Sequence, residues 1–346
     1  MWRTFIVSTA SKVRVAFYGC GNFAKNNRIP NLLQQDSVNI VAVCDSNVKT
    51  AQETAQHFNI PHVYHSENGG AHEMLNTQDF DVLYSIVPAY VRTDVEVIAA
   101  EKGIHIFSEK PQALTMQVAN RIDEAIRQAG VISTVGFRER YRPIFQKARE
   151  FLADKKVVHV RFQSYGGLPA AAGNEAKTWW ADMNKSGGRA LDWGVHATDY
   201  SRFMTGLNVV RVQAFYCERS TYVTPLSCSF NYCFNNGATM TLNFVSAGAS
   251  PKDEPWFTVF YEGGHLTIYR YDRIEVNGEK IYQAEEFNPW LEQDITFIRA
   301  VQTGDASILQ SDYHDGLFSL APVLAGWESS RRNGECIDLA SFMNVF

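Results

Sequence analysis

The sequence has no apolar run long enough to span a membrane, and its first twelve residues hold only a three-residue apolar stretch. We therefore expect no membrane partner, and we interpret residues 1–12 as a leader rather than a signal peptide. The chain also lacks a block of basic residues, and its net charge is −5. Both features argue against nucleic acid as a main partner.

Metal-binding patterns are equally scarce. The six cysteines are scattered without the spacing of a zinc site. His62 and His65 are close in sequence, but no acid or cysteine stands beside them at metal-ligand spacing. We expect no metal, and we interpret the cysteines as reduced thiols of a cytoplasmic protein.

The chain of 346 residues is long enough for two domains, and it contains no internal repeat or low-complexity linker. Strand and helix patterns alternate over residues 13–136, which predicts an α/β domain with a doubly wound parallel sheet. Short alternating strands and turn clusters dominate residues 137–346. They predict a second α/β domain with a largely antiparallel open sheet, and we expect the active site between the two domains.

Periodicity, together with glycine and proline positions, predicts the individual elements. Strands are predicted at Val13–Tyr18, Val38–Asp45, His62–Tyr64, Val82–Val87, Ile104–Phe107, Val131–Gly136 and Val157–Tyr165, with more over residues 209–283. Helices are predicted from Phe23 onward and at Val48–Phe58, Ala71–Asn76, Val91–Lys102, Met116–Ala129, Ile144–Ala153, Leu191–Met204, Trp290–Thr303 and Asp312–Asn333.

A glycine turn between the first strand and the first helix is the first motif that indicates chemistry. It has the pattern Gly19-x-Gly21-x-x-Ala24. Such a turn directs backbone N–H groups and the positive end of a helix at one spot, which suits a pyrophosphate. The first domain is therefore interpreted as a dinucleotide-binding Rossmann domain, with cofactor contacts from Gly19, Gly21, Asn22 and Phe23.

An acid at the end of the second strand strengthens this interpretation. Asp45 lies 21 residues beyond Ala24, where a ligand of the adenosine ribose hydroxyls is expected. The alternative is that Asp45 only caps the next helix. An acid at this place slightly favours NAD over NADP, whereas the nearby Lys49 keeps NADP open.

The segment Glu109-Lys110-Pro111 directly follows a predicted strand, so it should lie at the ligand-binding edge of the sheet. Lys110 beside a nicotinamide could hydrogen-bond a substrate hydroxyl or carry a proton. The alternative is an ordinary surface turn.

A second polar cluster begins at Gly187-Gly188 and continues into a predicted helix. Asp192 and His196 are four residues apart there, so they share one helical face. Histidine suits the interconversion of an alcohol and a ketone, and the carboxylate could orient it or stabilise its charge. The alternative is a structural Asp–His pair.

In order and spacing, these motifs resemble those of the Gfo/Idh/MocA oxidoreductases, over about residues 13–333. The resemblance rests on Gly19-x-Gly21-x-x-Ala24, Asp45, Glu109-Lys110-Pro111, Val135-Gly136-Phe137, and Gly187-Gly188 with Asp192-x-Gly194-x-His196. It implies hydride exchange between NAD(P) and a secondary hydroxyl of a sugar, sugar derivative or cyclitol. It also implies a homodimer or homotetramer joined through the open sheet.

The resemblance further implies roles for individual residues. Lys110 would contact the reacting hydroxyl, His196 would be the acid/base, and Asp192 would be its partner in substrate binding. Glu109 and Pro88 would lie against the cofactor. The bond between Lys110 and Pro111 is expected to be cis.

Three departures from the family pattern stand out. Arg92 replaces a common histidine, and it could bind a cofactor phosphate or an acidic substrate, or simply begin a helix in solvent. Trp180 replaces an arginine, and Arg189 replaces a glycine. Four arginines near the expected site hint at a carboxylated or phosphorylated sugar: Arg92, Arg138, Arg140 and Arg189.

Substrate binding is assigned to Arg138, Tyr141, Trp180, Asp192 and His196, with core packing as the alternative for several aromatic residues. The leading prediction is an NAD(P)-dependent dehydrogenase. A redox-neutral glycoside hydrolase with tightly held NAD is one alternative, and a non-catalytic regulator that senses a dinucleotide or sugar is another. Net NADH production from free sugars would separate the first two, and a regulator would turn over no polyol.

Overall fold

The computed structural model describes residues 12–173 and 179–343. Nearly all of the expected leader, residues 1–11, therefore lies outside the described residues. The fold is α/β and contains two sheets, as predicted. Among the described residues, no helix combines the length and the apolar character needed to cross a membrane.

The first sheet has six parallel strands in the order β3-β2-β1-β4-β5-β6, counted over the described part of the chain. Its strands are β1 Val13–Tyr18, β2 Val38–Asp45, β3 His62–His65, β4 Val82–Ser85, β5 His105–Ser108 and β6 Ser133–Val135. Its helices are α1 Ile29–Leu33, α2 Val48–Phe58, α3 Gly70–Thr77, α4 Val95–Glu101 and α5 Met116–Ala129. The strand order reverses at β1, which pairs with both β2 and β4, so a ligand crevice opens at the carboxyl ends of these strands.

The second sheet has nine strands within the described residues, in the order β14-β13-β12-β11-β7-β10-β9-β8-β15. All its pairs are antiparallel except β7 with β10, which accords with the predicted largely antiparallel sheet. Its strands are β7 Val157–Tyr165, β8 Val209–Cys217, β9 Ser227–Phe234, β10 Thr239–Val245, β11 Phe257–Tyr261, β12 Gly264–Tyr269, β13 Arg273–Val276, β14 Glu279–Gln283 and β15 Ile337–Asp338. The accompanying helices are α6 Pro143–Leu152, α7 Met183–Ser186, α8 Gly188–Thr205, α9 Pro289–Thr303, α10 Tyr313–Arg331 and α11 Leu339–Met343.

Helix α9 joins the two halves of the molecule. Although it follows strands β7 to β14 of the second sheet in sequence, its Phe297 packs in the core of the first sheet, 5.6 Å from the ring of Phe107 and 6.0 Å from that of Tyr84. Helix α8 packs on the second sheet and on α10, where Gly194 allows close approach: an added Cβ would lie 3.1 Å from Val323. The start of α8 is thereby held opposite the carboxyl edge of the first sheet.

Some element boundaries differ from the sequence prediction. The first helix opens with a π-helical turn, Ala24–Arg28, before α1. The helix predicted from Val91 begins at Val95, because the chain first forms a 3₁₀ turn and Arg92 turns inward against Ser85 and Glu96.

Candidate active site

The glycine turn after β1 has the geometry that its sequence predicts. Gly19 has a φ of +88°, and a Cβ added there would clash with the carbonyl of Ile86 and lie 2.9 Å from Val87. A Cβ added at Gly21 would meet no atom within 4 Å. One glycine is therefore required by the fold, whereas the backbone at the other faces open space that a ligand could enter.

Asp45 ends β2 beside this turn. Its carboxylate accepts hydrogen bonds from the backbone N–H of Cys20 at 3.1 Å and of Asn47 at 3.0 Å. The cap of α2 is Asn47, whose side chain accepts from the N–H of Thr50. Helix capping therefore does not explain Asp45, and its carboxylate is held at the mouth of the glycine turn.

Glu109 follows β5 and is buried in a polar network. Its Oε1 accepts hydrogen bonds from the guanidinium of Arg28 at 3.0 and 2.5 Å, and its Oε2 accepts from the N–H of Lys110 at 3.2 Å. The carboxyl carbon of Glu109 would lie 2.7 Å from a Cβ at Gly136, which explains why that position is glycine. Arg28 also binds Asp294 of α9 at 2.8 Å, so the network links the two halves of the fold.

Lys110 bridges the two halves at the centre of the site. The bond between Lys110 and Pro111 is cis, as predicted. The amine of Lys110 donates to Oδ1 of Asp192 at 2.6 Å and to the Asp192 carbonyl at 3.2 Å. The side chains are 14% and 19% exposed, so the ion pair is shielded but still accessible from a cavity.

His196 lies one helical turn beyond Asp192 and is only 3% exposed. Its ring packs among those of Phe137, Trp193 and Tyr200. Burial, followed by the positive charges of Lys110 and Arg138, lowers the pKa of His196 well below its ordinary value of 6.5. The imidazole is therefore neutral at neutral pH, and the charge of Lys110 acts directly on it.

The expected Asp192–His196 pair is replaced by another arrangement. Within the described residues no hydrogen bond joins the two side chains, since the Asp192 carboxylate binds Lys110 instead. Nδ1 of His196 is buried and has no hydrogen-bond partner in that part of the chain. The side chain therefore keeps a buried polar atom without a partner among the described residues.

Two cavities meet at Asp192 and Trp180, which line both. The first cavity, of about 210 Å³, lies at the carboxyl edge of the first sheet and is lined by Phe23, Pro88, Glu109 and Lys110 among others. The second cavity, of about 550 Å³, extends over the second sheet. A ligand in one can thus touch a ligand in the other at the Lys110–Asp192 pair.

Sequence comparison assigns both halves of the chain to one family. Residues 13–137 match the oxidoreductase family with an NAD-binding Rossmann fold, and residues 145–267 match the Gfo/Idh/MocA C-terminal domain. The chain belongs to the Gfo/Idh/MocA oxidoreductases. The resemblance expected from the motifs is thereby confirmed.

Two similar relatives are a glucoside dehydrogenase and an inositol dehydrogenase. The D-glucoside 3-dehydrogenase of Escherichia coli K12 is 26% identical over 59% of this chain and 57% of that protein. The NAD⁺-dependent scyllo-inositol 2-dehydrogenase of Bacillus subtilis 168 is 25% identical over 58% of this chain and 56% of that protein. The chain thus matches just over half the length of each relative.

Solved structures share the fold over almost the whole chain. An aldose–aldose oxidoreductase from Caulobacter crescentus, complexed with glycerol, has a TM-score of 0.79 and 20% identity, covering 94% of this chain and 99% of that one. The WlbA dehydrogenase of Bordetella pertussis, in complex with NADH and UDP-GlcNAcA, has a TM-score of 0.80 and 21% identity, covering 95% of this chain and 98% of that one. At such identities the likeness shows the fold alone.

Several residues assigned to the site of this Gfo/Idh/MocA protein, His196 among them, line neither cavity. Arg92 is buried, with its guanidinium 2.6 Å from Glu96 and 2.6 Å from the carbonyl of Glu109. The hydroxyl of Tyr141 accepts a hydrogen bond from the N–H of Gln310. Arg138 stacks on Trp290, 4.3 Å from the ring centre. Asn22 is exposed at the start of the first helix.

Arg28 and Asp294 are polar residues of the site that the sequence analysis missed. Both side chains are fully buried. Arg28 binds Glu109, which is 81 positions away in sequence, and Asp294, which is 266 positions away. No local motif surrounds either residue. Only the apolar setting of Arg28, between Ala24 and Ile29 on a predicted amphipathic helix, hinted that its charge would be buried.

Proposed function

We propose that this protein is an NAD(P)-dependent dehydrogenase that transfers hydride between the nicotinamide and a secondary hydroxyl or ketone of a sugar, sugar derivative or cyclitol. The observation that carries the proposal is the Lys110–Asp192 ion pair, which joins the two halves of the fold at the wall shared by two cavities. A neutral histidine lies beside it. The polyol dehydrogenases among the relatives support the same chemistry.

The first cavity and the glycine turn suit a dinucleotide. The open space at Gly21 would admit the pyrophosphate, and Asp45 would accept hydrogen bonds from the adenosine ribose. Pro88 and Glu109 would border the nicotinamide end, since both line the first cavity. When bound, the nicotinamide supplies the hydride acceptor or donor.

Lys110 would bind the reacting oxygen of the substrate. Its ammonium is a strong donor, and it would stabilise the negative charge that develops on that oxygen as the hydroxyl loses its proton. Asp192 holds the amine in place and retains a second carboxylate oxygen for a neighbouring substrate hydroxyl. Geometry and charge thus favour a polyol with adjacent hydroxyls.

His196 would accept the hydroxyl proton. A general base must be unprotonated, and the burial that lowers its pKa keeps the imidazole in that form. In the reverse direction the same nitrogen would return the proton to the ketone oxygen. Lys110 assists both steps by stabilising the oxyanion.

NAD is proposed as the preferred dinucleotide. Asp45 ends β2, where the adenosine ribose would lie, and its carboxylate would repel the 2′-phosphate of NADP. Lys49, which could counter this effect, is 83% exposed and lies 3.8 Å from Glu53 on the surface of α2. The carboxylate of Asp45 therefore dominates this end of the site.

A homodimer or homotetramer joined through the outer face of the second sheet is also proposed. Phe215 on β8 and Phe260 on β11 are 53% and 38% exposed on that sheet, which suits contact with a second copy. We propose a cytoplasmic location, since all six cysteines are unpaired and three are buried.

The test is a thermal-shift titration with NAD and NADP, followed by a panel of aldoses, polyols, cyclitols and glycosides monitored by absorbance of reduced nicotinamide and by release of free sugar. We expect NAD to raise Tm and at least one cyclic polyol to yield NADH. Failure of both dinucleotides to bind would refute the proposal. Binding without turnover would favour a regulator, and glycoside cleavage without net NADH would favour the redox-neutral hydrolase.

A further inference from the structure

The second cavity contains a charge that the proposed hydride transfer does not use. Arg189 lines it near the start of α8 and donates hydrogen bonds to the Ser164 hydroxyl at 2.8 Å, the Tyr165 carbonyl at 2.7 Å and the Ser246 hydroxyl at 3.3 Å. These acceptors are all neutral. Within the described residues no carboxylate forms an ion pair with Arg189, and three hydrogen bonds leave guanidinium donors for a ligand.

The fold makes room for this guanidinium. A Cβ at Gly166 would clash with it and lie 2.8 Å from its central carbon, so glycine at this position leaves the space that the guanidinium occupies. The buried arginines near the site are different, and Arg28 is paired with Glu109 and Asp294. Arg92 is paired with Glu96, and Arg140 with Asp199 and Asp315. Of these four arginines, only Arg189 lacks a carboxylate partner among the described residues.

A second arginine lines the same cavity from the turn after β12. Arg270 has a φ of 51°, a backbone conformation that favours glycine or asparagine. Its guanidinium lies 5.7 Å from the ring centre of Trp256. Non-glycine residues with such strained backbone are concentrated at functional sites, and this one lines the cavity.

The charge balance of the second cavity is therefore positive. Among its described lining residues Asp192 is the only acid, and its carboxylate already binds Lys110. Three tryptophans, Trp180, Trp193 and Trp256, also line this cavity and add apolar ring surface to its wall.

We propose that the second cavity binds an anionic group, a carboxylate or a phosphate, carried by a sugar substrate whose reacting hydroxyl meets Lys110. This inference rests on the proposed dehydrogenase function and narrows its substrate class to acidic sugars. Arg189 and Asp192 are three positions apart on α8, which brings their Cβ atoms within about 5–6 Å on one helical face. Side chains at that spacing can contact opposite ends of one sugar ring.

The test compares matched probes in the presence of saturating NAD. The probes are methyl α-D-glucopyranoside, its 6-carboxylate (the glucuronoside) and its 6-phosphate, and binding is followed by tryptophan fluorescence. We expect both anionic probes, or one of them, to bind at least about tenfold more tightly than the neutral glucoside, as charge-assisted hydrogen bonds do. Whichever anionic probe has the lower Kd identifies the preferred group, the carboxylate or the phosphate.

The Kd of the neutral glucoside divided by the Kd of the anionic probe measures the preference for the anion. Arg189→Gln should reduce this ratio by about tenfold to a hundredfold, because glutamine keeps a hydrogen-bond donor but removes the charge. Arg270→Gln, on an exposed turn, should reduce the same ratio by a smaller factor. Arg273→Gln is the matched control, since Arg273 pairs with Asp272 and Glu275 instead of lining the cavity. It should leave the ratio unchanged.

Equal binding of neutral and anionic probes by the wild type would overturn the inference, as would an unchanged ratio in both variants. These results would leave the dehydrogenase proposal intact if neutral polyols still yield NADH. Conversely, charge-selective binding without any NADH would support the anion site and refute the dehydrogenase.

Discussion

The buried network behind Lys110 makes a specific prediction for stability. Asp294 is fully buried, and it accepts hydrogen bonds from Arg28 at 2.8 Å, Asn31 at 3.2 Å and Tyr84 at 3.3 Å. Arg28 is already paired with Glu109, so its single charge serves two carboxylates. Desolvation raises the pKa of Asp294 from 3.8 to about 6, since Arg28 only partly offsets this effect.

The sign of the pH dependence follows from this pKa. Between pH 3.8 and about 6 the native carboxyl holds a proton that the unfolded chain has released. The stabilisation is therefore complete below pH 3.8 and is lost as the pH rises through about 6. The change amounts to about 3 kcal/mol at most.

Asp294→Asn should remove this slope, because the amide stays neutral at every pH. The free energy of unfolding, measured by urea titration, should rise in the variant relative to wild type by up to about 3 kcal/mol between about pH 4 and pH 7. Asp305→Asn is a control with the opposite pH dependence, because hydrogen bonds from Ser307 lower the pKa of Asp305. The difference in the free energy of unfolding between Asp305→Asn and wild type should therefore shrink as the pH falls. A constant difference between Asp294→Asn and wild type would refute the reasoning.

Two further predictions concern the dinucleotide site. Gly19→Ala should lower the free energy of unfolding by about 1–3 kcal/mol, because of its positive φ and the clash with Ile86, whereas Gly21→Ala should leave stability unchanged and weaken NAD binding at least about tenfold. Equal stability of the two variants would contradict the different roles of the two glycines. Asp45→Asn should weaken NAD binding about tenfold and reduce the preference for NAD over NADP in calorimetric titrations. An unchanged preference for NAD over NADP would show that Asp45 does not bind the adenosine ribose.

Local sequence signals predicted the first sheet and its glycine turn well. The strands at Val13–Tyr18 and Val38–Asp45 and the helix Val48–Phe58 have the predicted bounds, since each depends on its own periodicity and turn residues. The π-helical turn at Ala24–Arg28 was not predicted. Its last residue, Arg28, binds partners on distant segments, so the neighbouring sequence does not identify Glu109 and Asp294 as those partners.

A contact from a distant part of the sequence explains why the predicted pair of Asp192 and His196 does not form. The spacing of Asp192 and His196 favoured a pair on one helical face, and both do lie on α8. Lys110, which is 82 positions away, binds the carboxylate instead. Helical periodicity gives the neighbours along a helix, but it contains no information on which side chain arrives from another domain.

Lys110 is the residue on which the proposed chemistry depends most directly. Lys110→Met keeps the length of the side chain but removes the ammonium that would stabilise the substrate oxyanion. Lys147→Met is the matched control, since Lys147 forms an exposed ion pair with Glu150 at 2.7 Å.

The decisive measurement is kcat with the best polyol of the panel, alongside the Kd for NAD, in these two variants and the wild type. We predict that Lys110→Met lowers kcat by at least about a hundredfold, while the Kd for NAD changes less than about threefold. Lys147→Met should match the wild type in both quantities. A Lys110→Met enzyme that turns over at the wild-type rate would contradict the central role of the Lys110–Asp192 pair.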